Sequence, residues 1–255
     1  MSTLTITDVT PANVLKETLF CIADPSKPGF ENKRQWFVQR YEEGLRLKIL
    51  KDAEGKRMAF IEYIPAEFAW RPVEAPGLMF IHCMFVYANQ DKGKGNGSLL
   101  LHDCAKDAMA RKMRGIAVMT SKGAWIAGKR LFEKNGFVEV DRRGRFELMV
   151  RKFDDCAPDP RLIDWTAKQQ QYQGWHLLYA DQCPWHEKSA RALKESAAAH
   201  GIELHVHKIG SSREAREAPS GYGVYSLMRD GRLLEDHYIS QTRFENILKK
   251  ELGAG

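Results

Sequence analysis

The stretch Gln90-Asp91-Lys92-Gly93-Lys94-Gly95-Asn96-Gly97-Ser98-Leu99-Leu100-Leu101 decides how this chain is read. It joins an apolar run, residues 79–87 (MFIHCMFVY), to a segment in which Leu100, Cys104, Ala105, Ala108 and Met109 recur with a helical period. The run is expected to be a buried strand. The helix is expected to carry Lys112 and Arg114 in its last turn and to stop at Gly115. Three glycines at alternate positions let the backbone turn its N–H groups toward one point, where the helix dipole also favours negative charge. Strand, glycine turn and helix in that order suit a diphosphate, with Ser98 as a contact or as the helix cap.

Upstream of this junction, strands are expected over residues 4–9, 45–50 and 58–63, and helices over 12–21 and 31–43. A turn at 53–56 links the second and third strands. Downstream come a strand at 116–120, a short helix at 127–135 and strands at 137–140 and 146–151, joined around Arg143-Gly144. Residues 1–153 thus read as one mixed α/β unit. The tract DDCAPDP at 154–160 breaks every regular pattern and, with the glutamine-rich patch that follows, makes 154–173 the expected linker. Residues 174–255 then read strand 175–180, helix 184–200, strand 203–209, short helix 212–217, strands 224–228 and 233–235 turned at Asp230-Gly231, and helix 241–251. That is a β-α-β-α-β-β-α order.

A chain of 255 residues, 44% hydrophobic and 28% charged, is an ordinary globular composition with room for two cores. No apolar run approaches the ~20 residues that span a bilayer, and the N-terminus lacks a signal-peptide pattern, so no membrane association and a cytoplasmic location are expected. The net charge of +6 is uneven: residues 1–154 carry +7 and residues 155–255 carry −1. The basic half holds the glycine turn, which suits an anionic ligand. Cys21, Cys83, Cys104, Cys156 and Cys183 form no CxxC pair and no zinc spacing, so reduced thiols and no metal are expected.

At these residues the first half resembles the GCN5-related N-acetyltransferases. Their signature at the strand-to-helix junction is (Gln/Arg)-x-x-Gly-x-(Gly/Ala). Gln90 to Gly95 fits it, and so does Lys92 to Gly97 with lysine in place of arginine; the second frame enters the helix as the family does. Leu131-Phe132-Glu133-Lys134-Asn135-Gly136-Phe137 resembles the second signature, Leu-Tyr-Glu-Lys-x-Gly-Phe. The resemblance implies an acyl-CoA N-acyltransferase fold over residues 1–153 and acetyl-CoA as co-substrate. It also implies an amine acceptor on a small molecule or peptide, and a monomer or homodimer. Two departures stand out. The tyrosine that often protonates the leaving thiolate is Phe132, and the asparagine seven positions earlier is Trp125. The second half resembles a thioredoxin fold with Cys183-Pro184-Trp185-His186 at the redox position, Pro219 before the third strand, and His186 in place of the second cysteine. The whole chain is similar to acetyltransferases with a YoaP-type C-terminal region.

The resemblance places the pyrophosphate against Lys92, Gly93, Lys94, Gly95, Asn96, Gly97 and Ser98, and the thioester carbonyl against backbone N–H groups of Met84, Phe85 and Val86. Glu62 and His82 are the candidate bases for the amine proton. In a regular strand His82 shares a face with Phe80, Met84 and Val86, while Cys83 faces the other way, as a core residue. Trp70, Trp125 and Arg71 are candidates for the substrate pocket, against core packing for the tryptophans and simple solvation for Arg71. Cys183 is the candidate for a second, thiol chemistry, with His186 three positions on as its partner. Two further readings are a redox protein built on Cys183, and a transferase that takes its acyl group from aminoacyl-tRNA or a carrier protein, which the +7 half motivates.

Overall fold

The computed structural model describes residues 4–87, 93–157 and 159–253. Its chain divides into two units. The first holds residues up to Pro25, Arg34–Ala69 and Val73–Ile163. The second holds Ser26–Lys33, Trp70–Pro72 and Asp164 onward.

The first unit is built on a seven-stranded sheet in the order β1-β2-β3-β5-β6-β8-β7. The strands are β1 (Thr5–Val9), β2 (Arg46–Lys51), β3 (Arg57–Pro65), β5 (Met79–Val86), β6 (Gly115–Ser121), β7 (Val138–Arg143) and β8 (Phe146–Lys152). A separate pair, β4 (Val73–Glu74) with β9 (Arg161–Leu162), completes it. Every neighbouring pair in the large sheet is antiparallel except β5 and β6. Parallel neighbours need a crossover, and α3 (Asn96–Ala110) supplies it. Leu100, Leu101, Cys104, Ala105 and Ala108 of α3 pack on Ala59, Ile61, Tyr63, Met79, Ile81, Ile116 and Val118 of the sheet. The helical period seen in the sequence is this buried stripe.

Helix α1 (Val14–Glu17) is only four residues long, because Thr18 turns into the left-handed region at φ 62°; the longer helix expected over 12–21 does not form. α2 (Phe30–Tyr41) buries Trp36 and Phe37. α4 (Arg130–Glu133) carries Phe132, which is fully buried and meets Phe137 edge-on at 5.4 Å between ring centroids.

The second unit contains β10 (Trp175–Tyr179), α5 (His186–Ala199), β11 (Leu204–Lys208), α6 (Ser212–Arg216), β12 (Tyr225–Arg229), β13 (Arg232–Glu235) and α7 (Gln241–Leu252). The sheet order is β11-β10-β12-β13, with β10 parallel to β11 and antiparallel to β12. α6 and α7 are capped by Ser211 and Ser240, whose side chains accept from Glu214 and Arg243 backbone N–H groups. Among the described residues, no helix is long and apolar enough to cross a membrane.

Candidate active site

β5 and β6 stay in register for three pairs only, Met79–Ile116, Phe80–Ala117 and Ile81–Val118. Beyond Ile81 the two strands are no longer paired. His82 to Val86 therefore present one backbone edge to a split in the middle of the sheet, while the other edge remains bonded to β3.

A bulge lies at the same point. Tyr63 pairs with Ile81 but Glu62 pairs with Cys83, so β5 carries one extra residue, His82. A one-residue insertion reverses the parity of everything after it. Met79 and Ile81 face the α3 core before the bulge, and Met84 and Val86 face it afterwards. His82 stays with Phe80 on the opposite face, where its ring lies 5.9 Å from Phe80 and 6.3 Å from Trp36. The expectation that His82 shares a face with Met84 and Val86 holds only for an unbroken strand, and this strand is broken there. Cys83 is half-buried rather than a core residue; Cys104 is fully buried, and that burial pushes its thiol well up.

The bulge brings the two base candidates together. His82 Nδ1 lies 3.6 Å from Glu62 Oε1, and both side chains are enclosed. That distance is too long for a hydrogen bond between the two, and they form an ion pair only when His82 is protonated. Trp36 was not singled out from sequence, since nothing in the α2 pattern says which strand residue it covers.

The glycine turn enters α3 as expected. Gly93 and Gly95 adopt φ +80° and +87°, and a Cβ on either would meet nothing within 4 Å. Gly95 is the N-cap residue, in the left-handed region, and no side chain caps the helix. Gly97 has a different reason to be glycine: a Cβ there would stand 3.0 Å from Leu131 Cδ2 and 3.5 Å from Met84 Cε. Ser98 is not the cap; its hydroxyl accepts from Asn135 Nδ2 at 3.0 Å, and Asn135 also donates to the Leu131 carbonyl at 2.8 Å. Asn96 is buried and Lys94 is exposed. Lys92 and Gln90, named from the sequence, lie outside the described residues.

Trp125 is 48% exposed and sits at φ 67°, a rare conformation for a bulky side chain. Trp70 and Arg71 belong to the second unit and both are buried. Arg71 is therefore not a solvated surface charge. Its Nη1 donates to the Trp70 carbonyl and to Gln182 Oε1, each at 2.7 Å, and the guanidinium lies 4.7 Å over the Tyr222 ring. His186 is fully buried too. Its Nδ1 lies 3.0 Å from the Ala180 carbonyl, while Nε2 has no hydrogen-bond partner, so it makes no bond to Cys183. Burial, with Arg71 and Lys33 adding repulsion, pushes the His186 pKa down to about 3. Cys183 is half-buried, three residues ahead of α5. Among the described residues no three His, Cys, Asp or Glu side chains gather to hold a metal ion.

The glycine-led helix and the split sheet belong to a chain of the GCN5-related N-acetyltransferase family, and the protein is an N-acetyltransferase. Over 220 residues it is 30% identical to an uncharacterized N-acetyltransferase, YoaP, of Bacillus subtilis strain 168, covering 85% of this chain and 86% of that one. Among solved structures it is similar to the ribosomal-protein-alanine N-acetyltransferase of Brucella melitensis, with 20% identity, TM-score 0.42, and coverage of 58% of this chain and 99% of that one. A PaiA N-acetyltransferase from Thermoplasma acidophilum, solved with coenzyme A, is 13% identical with TM-score 0.42, over 59% and 99% of the two chains. No protein-family model matches the chain.

Proposed function

We propose that this chain moves an acetyl group from acetyl-CoA to the amine of a small molecule or peptide, directly, through a tetrahedral intermediate. The observation that carries the reading is the coincidence of two features at one end of the parallel pair. β5 leaves β6 after Ile81, and the next segment of chain enters α3 through left-handed glycines with open space beside them.

The turn suits the pyrophosphate of CoA: Gly93, Lys94, Gly95, Asn96, Gly97 and Ser98 hold it, with Lys92 ahead of them, and the dipole of a fifteen-residue helix adds to the attraction. The bound thioester supplies an activated acetyl group. The Phe85 N–H turns toward β3, as that of Tyr87 does, so the edge of β5 at the split offers the N–H groups of Met84 and Val86 to the carbonyl oxygen as it gains charge. The amine arrives neutral and, on attack, gives its proton to the Glu62–His82 pair. Phe132 is packed in the core and has no proton to offer the leaving thiolate, so the same pair returns that proton. Attack, C–S cleavage and the two proton transfers leave an amide and free CoA.

The second unit is read as a thioredoxin-like domain over 174–255, behind a linker at 154–173, with Cys183 as its functional thiol. Its sheet order and the start of α5 just after Cys183 support this. The enclosed, neutral His186 takes no part as a base. The test of the main reading is release of free thiol from acetyl-CoA by the full chain across a panel of amines. Amine-dependent release, reduced about 100-fold in kcat by Glu62→Gln, is the expected result. No release above hydrolysis with any amine overturns it.

A further inference from the structure

The parity reversal at His82 builds a surface that the reaction chemistry leaves unused. After the bulge, Cys83 and Phe85 stand on the same face of the sheet as Phe80, His82 and Glu62, away from the α3 core. Phe60 of β3 pairs directly with Phe85. Phe20 stacks on Phe60 at 4.7 Å, tilted by 31°, and meets Tyr87 edge-on at 6.1 Å. Phe85 is 48% exposed and Tyr87 68% exposed. Two exposed aromatic rings backed by two more, within a few residues of the split, form a shelf rather than a scatter of single apolar residues.

The charges around the shelf are few. Glu62 is the one acidic residue in β3 and β5 together, and β2 has none. Glu17, on the short helix before Phe20, is tied to Lys51 in an ion pair. A polyamine has several ammonium groups to pair, and the described strands β2, β3 and β5 bring a single carboxylate, Glu62, to this face. A primary amine with a single nitrogen and an aromatic body fits both parts: the nitrogen at the Glu62–His82 end and the ring stacked, offset or edge-on, on Phe85 and Tyr87.

Resting on the acetyl-transfer reading above, we infer that the acceptor is a monoamine with an aromatic body, and that the side chains of Phe85 and Tyr87 set this preference. The Phe85 backbone is paired with Phe60 of β3, so an exchange of its ring leaves the thioester contacts of Met84 and Val86 in place.

The test is steady-state acetylation by the full chain of three probes: 2-phenylethylamine, n-butylamine and putrescine. The expected kcat/KM for 2-phenylethylamine exceeds both others by about tenfold or more, the worth of roughly 1.4 kcal/mol of ring contact. Phe85→Ala is expected to raise KM for 2-phenylethylamine about tenfold at nearly constant kcat, leaving n-butylamine and the KM for acetyl-CoA within about twofold. Tyr87→Ala, at a more exposed position, is expected to act the same way by about threefold. Acetylation of n-butylamine or putrescine as efficient as that of 2-phenylethylamine overturns the inference while leaving acetyl transfer intact. Equal losses for all three probes in Phe85→Ala, with Tyr87→Ala silent, also overturn it. No acetylation of any probe removes the inference together with the reading beneath it.

Discussion

Gly95 and Gly55 offer a matched pair for testing the cofactor cradle. Both are left-handed, at φ +87° and +80°, and a Cβ on either meets nothing within 4 Å. Gly55 lies in the turn between β2 and β3, where its N–H bonds to the Asp52 carbonyl at 3.0 Å. Gly95 heads α3. Alanine at either site costs about 1–2 kcal/mol in backbone strain, partly offset by a stiffer unfolded chain. Each variant should therefore melt lower by a few degrees, about 2–4 °C per kcal/mol for a unit of this size. What differs is the ligand. A methyl group on Gly95 fills the space beside the helix start and displaces a charged acceptor from one or two backbone N–H groups, worth about 1.5–3 kcal/mol each. Calorimetric titration with CoA should show Kd rising by a factor of about ten to a hundred in Gly95→Ala and staying at the wild-type value in Gly55→Ala. Equal affinity in the two variants, with both folded, would refute the placement of the pyrophosphate at this turn.

Three further outcomes are expected. His186 is held neutral in the fold with its pKa down at about 3, whereas an unfolded histidine titrates near 6.5. Below pH 6.5 the unfolded chain binds the extra proton, so stability falls as pH falls, by up to about 1.4 kcal/mol per unit until the folded pKa is reached. Urea unfolding at pH 7, 6 and 5 should show this slope flattened in His186→Gln; an unchanged slope refutes it. Pulse alkylation read by mass spectrometry should modify Cys21 and Cys156, which are exposed, before Cys83 and Cys183, with Cys104 reacting only on unfolding. Asn135→Ala, which removes the bonds to Ser98 and to the Leu131 carbonyl, should cost about 1–2 kcal/mol in stability by denaturant titration; a change under a few tenths refutes it.

The glycine turn was legible because two independent signals meet there. The helical period of Leu100, Cys104 and Ala108 fixes the helix, and glycine's tolerance of positive φ fixes the turn ahead of it. The β-α-β-α-β-β-α order of the second half was legible for a similar reason, as period and turn residues agree along it. The bulge was not. An extra residue in an apolar strand changes neither composition nor propensity, and its effect, the reversal of faces after His82, depends on the register with β3. Arg71 misled for another reason. An Arg-Pro step reads as surface, and only the fold supplies Gln182 and Tyr222 from more than a hundred residues away. Thr18 ended a helix that its sequence pattern would have extended.

The second unit draws on residues far apart in the chain, and this sets an order on its assembly. Asn32 bonds to Glu187, and Gly29 lies where a Cβ would run into the Pro184 carbonyl. Arg71 waits for Gln182, 111 residues later. At a translation speed of about 5–20 residues per second, Asn32 and Arg71 spend on the order of ten seconds outside the ribosome before their partners emerge. During that interval a guanidinium and a tryptophan destined for burial remain in water. A fragment that begins at the linker would lack residues 26–33 and 70–72 permanently, and with them the hydrogen bonds and close packing they bring to the start of α5.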